Sequence, residues 1–137
     1  MEVTVRPWCQ YYIDAMIVSD GVSFRFTGIY GEPCVEKRTK TWEVLRYRRT
    51  QDDLPWLCAG DFNEILDSSE YFGAHDRPEW QMEGLRQCED DCELLDLGYQ
   101  GVPFTWDNMQ HDNTNVKVRL DRFLVNPAMM SMFPSSF

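Results

Sequence analysis

Residues 54–59, LPWLCA, form a short apolar run that stops at Gly60. A run of this length without polar alternation is typical of a strand buried on both faces. Such a strand needs neighbouring strands on both sides and packed elements above and below it. This segment therefore favours a fold in which helices pack on a central sheet.

The segments around this run supply the other elements of that fold. Residues 11–19 and 24–29 flank the turn signal Asp20-Gly21 and predict a β-hairpin. The remaining elements are helices at 35–50 and 79–92, a polar loop at 67–78, and strands at 94–97, 104–106 and 118–125. The residues expected to face the core from the two helices are Val35, Trp42, Leu45, Met82, Leu85 and Cys92. This order predicts an α/β or α+β sandwich with helices packed on a sheet.

Length and composition limit the class of protein. The 137 residues suit one domain or part of one, and 43% hydrophobic residues indicate a packed core. No apolar stretch reaches the roughly 20 residues of a membrane helix, and residues 1–10, MEVTVRPWCQ, lack the apolar region of a signal peptide. The cysteines lack a disulfide or zinc pattern, so we expect Cys9, Cys34, Cys58, Cys88 and Cys92 to be reduced and mostly buried. We expect an intracellular protein of the nucleus or cytoplasm, with no membrane partner.

The formal net charge is −10, which repels a nucleic-acid backbone on average. A divalent cation at a carboxylate site can reverse that field locally. The helix at 35–50 is the basic exception in this acidic chain, through Lys37, Arg38, Lys40, Arg46, Arg48 and Arg49. These side chains predict either a solvated helix face or a phosphate-contacting surface.

The apolar run is followed by Gly60, Asp61, Phe62 and Asn63. If the strand continues through these positions, Asp61 and Asn63 project to one face and Phe62 points into the core. An Asp at that place can orient or deprotonate a water, and an Asn can donate to a phosphoryl oxygen. The alternative is a strand-end turn in which both side chains make only local hydrogen bonds.

Three further segments favour the chemical interpretation. The segment FTGIYGEP, residues 26–33, ends a strand at Tyr30, whose phenol could reach a phosphate. The segment PFTWDN, residues 103–108, contains Trp106. The segment VRLDRFLV, residues 118–125, places Asp121 and Phe123 on one strand face.

Together these segments resemble the endonuclease/exonuclease/phosphatase superfamily, which has the DNase I-like fold. The resemblance is strongest to the endonuclease domains of plant non-LTR (LINE-type) retrotransposons, through RFTGIYGEP, LPWLCAGDFNEIL, LLDLGYQGVPFTWDN and RLDRFLVN. It extends from about residue 11 to about residue 134. It implies that residues 1–137 form a single, partial DNase I-like four-layer α/β sandwich.

The resemblance also implies roles for individual residues. Asp61 matches the Asp that positions or activates the attacking water, and Asn63 matches the Asn that holds the scissile phosphate. Tyr30 matches the Tyr on the phosphate side of the site. Asp121 matches the Asp that orients a catalytic His, and Trp106 matches an aromatic near the site for which core packing is the stronger expectation. His75 and His111 match no catalytic position and are expected in loops.

The resemblance implies Mg²⁺ as cofactor and DNA as partner, but two of the family's motifs have no counterpart here. Its metal-binding Glu and its closing Ser-Asp-His motif are absent, and neither Glu2 nor Glu32 replaces the Glu. Phosphodiester cleavage depends on a metal and on charge stabilisation at the phosphorus. We therefore expect an inactive fragment of a retrotransposon endonuclease domain.

Two alternatives remain open at this point. One is a working nuclease with an improvised metal site, for which Glu64, Asp107 and Asp112 are the candidate ligands. The other is a non-enzymatic remnant of the same fold that binds protein or nucleic acid through the basic helix.

Overall fold

The fold is built on a mixed six-stranded sheet in this computed structural model, which describes residues 1–132. The end of the expected family match, at residues 133 and 134, lies outside the described residues. The strands of this sheet, in spatial order, are β1 (Glu2–Cys9), β2 (Tyr12–Ser19), β3 (Val22–Tyr30), β4 (Trp56–Asp61), β9 (Asp121–Val125) and β6 (Leu95–Asp96). Strands β3 and β4 are parallel and the other neighbours are antiparallel.

Within residues 1–132, three α-helices accompany the sheet. Helix α1 (Thr39–Arg49) connects the parallel strands β3 and β4, as a parallel pair requires. Helix α2 (Glu79–Cys92) packs beside it, and the short α3 (Pro127–Met132) follows β9. A 3₁₀-helix at Val35–Lys37 precedes α1, so the helix predicted at 35–50 is two elements, whereas the one predicted at 79–92 is confirmed.

The main core lies between the two long helices and one face of the sheet. Trp42 and Leu45 from α1 meet Leu85, Cys88 and Cys92 from α2. The sheet contributes the side chains that alternate toward the helices, namely Ile29, Trp56, Cys58 and Leu124. The prediction of inward helix residues is confirmed for Trp42, Leu45, Met82, Leu85 and Cys92, which are buried. Val35 lies in the 3₁₀-helix and is only partly buried.

The opposite face of the sheet is apolar and carries no helix from the described residues. Ile13, Gly28, Ala59 and Phe123 form one cross-strand row on it, and Ile13 and Phe123 are exposed. The expectation that both faces of residues 54–59 are covered is therefore confirmed for one face only. A helix layer and a sheet layer of an α/β sandwich are present, in agreement with a partial DNase I-like fold.

A small second sheet contains β5 (Tyr71–Phe72), β8 (Lys117–Val118) and β7 (Trp106–Asp107), in that order. The strand predicted at 118–125 is thus divided between two sheets. Arg119 and Leu120 separate β8 from β9, and the amide of Phe62 donates to the Leu120 carbonyl at 2.8 Å. The loop predicted at 67–78 contains β5 and a 3₁₀-helix at Ser68–Glu70.

The prediction of a basic, solvated face on α1 is wrong at two of its arginines. Arg48 is buried, with its guanidinium 3.6 Å from the buried Asp14 carboxylate and stacked on Tyr12. Arg38, which precedes the helix, is buried against Glu64. Arg46 and Arg49 pair with nearby acids, which leaves Lys40 as the exposed basic side chain of α1 without an ion pair in residues 1–132.

The remaining expectations concern cysteines and membrane segments. Cys58, Cys88 and Cys92 are buried and Cys9 and Cys34 are exposed, all as free thiols. Within residues 1–132, no helix combines the length and the apolar character needed to cross a bilayer.

Candidate active site

Tyr30, Asp61 and Asp121 form one row across three neighbouring strands. Tyr30 lies opposite Asp61 in the parallel pair β3–β4, and Asp61 lies opposite Asp121 in the antiparallel pair β4–β9. Residues in one cross-strand row project to the same face of the sheet. The row therefore gathers a phenol and two carboxylates where β3 and β4 end and β9 begins. Tyr30 is 56% exposed and Asp121 is also exposed, so the row is accessible.

Two glycines let the backbones at this edge approach each other. Gly60 has φ +139°, and a Cβ there would lie 2.2 Å from the Ile29 carbonyl oxygen. A Cβ on Gly31 would lie 2.3 Å from the Phe62 carbonyl oxygen. The amide of Gly31 donates to the Asp61 carbonyl at 2.6 Å. These close approaches hold the loop after Tyr30 against the loop after Asp61.

Asn63 reaches the site by a turn and not by strand alternation. Strand β4 ends at Asp61, and Asn63 has φ +53° in the left-handed region that Asn tolerates. Its amide donates to the Asp61 carboxylate at 2.8 Å, and its side-chain nitrogen donates to the Gly31 carbonyl at 2.5 Å. The expected strand alternation is wrong here, and the alternative, a strand-end turn, is what the structure shows. Asp61 and Asn63 are still adjacent. Phe62 is fully buried, as predicted.

The carboxyl of Asp61 has a raised pKa. Burial is the largest cause, and the negative charge of Asp121 across the strand pair adds to it. The hydrogen bond from the Asn63 amide and the positive charge of Arg38 act in the opposite direction. A raised pKa makes a carboxylate a better proton acceptor, which suits a group that deprotonates or orients a water.

A buried ion-pair cluster behind the site was not predicted from the sequence. Arg38 donates to Glu64 at 2.8 Å and to the carbonyls of Glu32 and Pro33 at 3.0 and 2.7 Å. Arg77 donates to the other Glu64 oxygen at 2.9 Å. The cluster links the loop after Tyr30 to the loop after Asp61. Glu64 is buried and occupied by two arginines, so it is not a candidate metal ligand.

Thr105 connects the small sheet to Asp121. Its hydroxyl accepts hydrogen bonds from the amides of Leu120 and Asp121, at 3.0 and 3.1 Å. The next residue, Trp106, is 48% exposed. The expectation that Trp106 packs in the core is therefore wrong, and its position one residue beyond Thr105 leaves it as an exposed aromatic near the row.

The described residues do not form a complete metal site. Among residues 1–132, no group of three or more His, Cys, Asp or Glu side chains is arranged to hold a metal ion. The row supplies only two possible metal ligands of this kind, the carboxylates of Asp61 and Asp121. Asp107 and Asp112 lie together in a different cleft and accept hydrogen bonds from their own loop. The donor set thus does not fit a resident Mg²⁺ ion held by the protein alone.

The two histidines lie in loops, as predicted, and both are exposed. His111 lies in the cleft with Asp107 and Asp112, and His75 lies between the small sheet and α2.

One known protein family matches almost the whole chain. The profile of the Endonuclease/Exonuclease/phosphatase family matches residues 3–133 of the chain. The chain belongs to this family. Its members are typically metal-dependent phosphodiesterases. Among curated proteins, none matches the chain in sequence.

Solved structures of nucleases and related enzymes share the fold of this family member. The endonuclease domain of TRAS1, a telomere-specific non-LTR retrotransposon, is 15% identical with a TM-score of 0.63, over 94% of this chain and 58% of that one. The 3′ phosphatase NExo from Neisseria, bound to a product DNA hairpin, is 21% identical with a TM-score of 0.62, over 88% and 54%. TDP2 from D. rerio, complexed with a single-strand DNA product, is 18% identical with a TM-score of 0.60, over 92% and 52%.

The chain thus spans little more than half the length of these structures. At such identities the likeness establishes the fold alone, and two of the three structures contain DNA products. The plant origin and the LINE-type assignment stay predictions from the sequence.

Proposed function

We propose that this family member is the phosphate-contacting part of a DNA phosphodiesterase domain of non-LTR retrotransposon type, and that it does not cleave DNA by itself. The observation that carries the proposal is the row of Tyr30, Asp61 and Asp121, with Asn63 fixed beside it. This row and Asn63 bring together, at one edge of the sheet, the functional residues implied by three separate sequence segments.

Each side chain has a role that suits its surroundings. Tyr30 is exposed at the strand end, so its hydroxyl is free to donate to a phosphoryl oxygen. Asn63 adds an uncharged polar group whose orientation is fixed by its bond to the Gly31 carbonyl. Asp61, with its raised pKa, is the group to orient or deprotonate a water. Asp121 places a second carboxylate directly opposite Asp61.

The proposed inactivity follows from the charges of the side chains at the row. Phosphoryl chemistry needs positive charge at the phosphate, commonly from Mg²⁺, which neutralises the charge that develops as the bond breaks. The row supplies two carboxylates and no cation, and Arg38 behind it is already engaged by Glu64. Losing one member of a catalytic unit commonly lowers the rate by several orders of magnitude.

The first experiment is nicking of supercoiled plasmid by the purified, folded chain with Mg²⁺. An EDTA reaction and the variant Asp61→Asn serve as controls. The proposal expects no nicking above these controls. Nicking that is lost both with EDTA and in Asp61→Asn would overturn the inactivity and show a working metal-dependent nuclease.

The second experiment tests phosphate contact by fluorescence anisotropy of a labelled DNA oligonucleotide at low salt without divalent metal. Tyr30→Phe is expected to weaken binding, whereas Tyr47→Phe, an equally exposed tyrosine on α1, is not. Asp61→Asn is expected to tighten binding, because it removes a negative charge beside the phosphate. If the folded protein does not bind, or if all three variants bind alike, this row does not contact DNA.

The second candidate function is a non-enzymatic domain of the same fold that binds protein or nucleic acid through α1. The ion pairs of Arg46 and Arg49 do not favour it. Arg46→Glu and Arg49→Glu test it directly in the same assay. Loss of binding in these variants, with Tyr30→Phe unaffected, would assign the interaction to α1 instead of the row.

A further inference from the structure

Glu89 is a buried carboxylate without a direct partner. It lies on α2 and is only 9% exposed. Within residues 1–132, its carboxylate accepts no hydrogen bond and belongs to no ion pair. A largely buried carboxylate without a partner is costly in its ionised form.

The charges around Glu89 are unbalanced. Arg122 donates to Glu70 at 2.9 Å and to Asp96 at 2.7 Å, and Arg119 lies 3.5 Å from each of these acids. Two arginines therefore compensate two acids, and Glu89 is the third acid beside them. Burial and the charge of Asp96 raise the pKa of Glu89 to about 8, with smaller contributions from Glu70 and Asp90 and an opposing one from Arg122.

Glu89 opens into a cleft of about 420 Å³ between α2 and β6. Its acids are Glu89, Asp90 and Asp96, and its apolar walls are Leu66, Leu94 and Leu95. Arg86 also lies in the cleft, but it donates to the Leu66 carbonyl and to the exposed Glu79 and Glu83. The cleft therefore combines apolar walls with one buried carboxylate, that of Glu89, which lacks a paired counter-charge.

We propose that this cleft binds an organic cation, an ammonium or guanidinium group carried on an aliphatic chain. A charged N–H donor would meet the carboxylate of Glu89, with Asp90 adding negative charge, and the methylenes would lie on the leucines. A metal ion fits less well, because no group of three or more possible ligand side chains among the described residues is arranged to hold one. The cleft is separate from the Tyr30–Asp61–Asp121 row, so the proposal does not depend on the proposed function.

Cation binding at this cleft is linked to proton release. At neutral pH the Glu89 carboxyl is mostly protonated, and a bound cation favours its ionised form. The affinity should therefore rise about tenfold for each pH unit below the pKa, from pH 6 to pH 7, and level off above pH 8.

The test is a titration of the ¹⁵N-labelled chain with n-butylammonium, followed by NMR at pH 6, 7 and 8. Saturable shifts in amides around Glu89, with the expected pH dependence, support the site. The same titration with tetramethylammonium, which has the charge but no N–H donor, should give weaker shifts. Cadaverine and a short blocked lysine peptide then distinguish a free amine from a protein side chain by their relative affinities.

Two variants keep the test decisive. Glu89→Gln retains the shape of the neutral carboxyl and should fold, yet it should lose the binding and its pH dependence. Glu83→Gln removes an exposed acid from the same helix and should bind as the wild type does. Absence of saturable shifts at millimolar butylammonium, or equal binding by Glu89→Gln, would overturn the proposal.

Discussion

Asp61 lies directly opposite Asp121 across the antiparallel strands β4 and β9, with both carboxylates on the same face of the sheet. Like charges in opposed positions destabilise a strand pair. Nearby donors offset this cost, since the Asn63 amide donates to the Asp61 carboxylate. The two carboxylates therefore repel each other at the end of β4. Such closely spaced like charges with a raised pKa are common at functional sites.

Removal of the Asp121 charge should lower the pKa of Asp61. In Asp121→Asn the repulsion across the strands is gone, but the pKa should stay above its ordinary value because burial is its largest cause. Titration of the Asp61 carboxyl by ¹³C NMR measures the change. Asp20→Asn is the matched control, since Asp20 lies in the β2–β3 turn at the opposite end of β3. An equal shift in both variants would contradict the pairing.

Replacing Gly60 should unfold or strongly destabilise the chain. Gly60→Ala places a Cβ 2.2 Å from the Ile29 carbonyl oxygen at φ +139°, so we expect a loss of about 3 kcal/mol or more in the free energy of unfolding. Gly98→Ala is the control for positive φ alone, because Gly98 has φ +77° and open space around it. It should cost about 1 kcal/mol. Urea denaturation of both variants measures the difference.

Removal of Arg38 should cost much more than removal of a surface arginine nearby. Arg38→Ala leaves the buried Glu64 with Arg77 alone and frees two carbonyls of the loop after Tyr30, so the expected loss is about 3–5 kcal/mol. Arg46→Ala breaks only a half-exposed pair with Asp91 and should cost below about 1 kcal/mol. Equal urea midpoints for these two variants would show that the Glu64 cluster does not support the site loops.

The raised pKa of Glu89 should make stability fall as pH rises. The folded chain retains a proton that the unfolded chain releases between pH 4.5 and about pH 8. Stability from this group is therefore present at low pH and is lost through that window. Glu89→Gln should remove this dependence and be the more stable protein above pH 8, whereas Glu83→Gln should retain the wild-type slope. Thermal denaturation from pH 5 to pH 9 compares them, and identical slopes in Glu89→Gln and wild type would refute it.

The elements predicted well are those with local signals. Helix α2 has a complete apolar period, and the β2–β3 hairpin has an Asp-Gly turn, so both were predicted near their true positions. Strand β1 at Glu2–Cys9 was missed, because this edge strand is defined by its pairing with β2 and shifts register between Val5 and Trp8. The interruption between β8 and β9 was not predicted, because it depends on where the two sheets separate and has no local signal in the sequence.

The residues of the site were predictable from the sequence, but the buried contacts that hold its loops in place were not. Tyr30, Asp61, Asn63 and Asp121 stand in recognisable segments, and the structure brings them together. Whether they perform the implied roles stays a prediction. The burial of Arg38 was not predictable, because its partner Glu64 is distant in sequence and a charged residue in a helical pattern resembles a solvated one. The Asp-x-Asn spacing was the available signal for the turn at Asn63, since Asp and Asn side chains often bond to the backbone two residues away.

The row of Tyr30, Asp61 and Asp121 also has a consequence for how the chain folds. Its members are far apart in sequence, so the row exists only after β3, β4 and β9 have all paired. Closing such long loops is entropically unfavourable and tends to slow folding. A spectroscopic probe at Tyr30 would therefore follow completion of the sheet during refolding, later than a probe in the locally encoded helix α2.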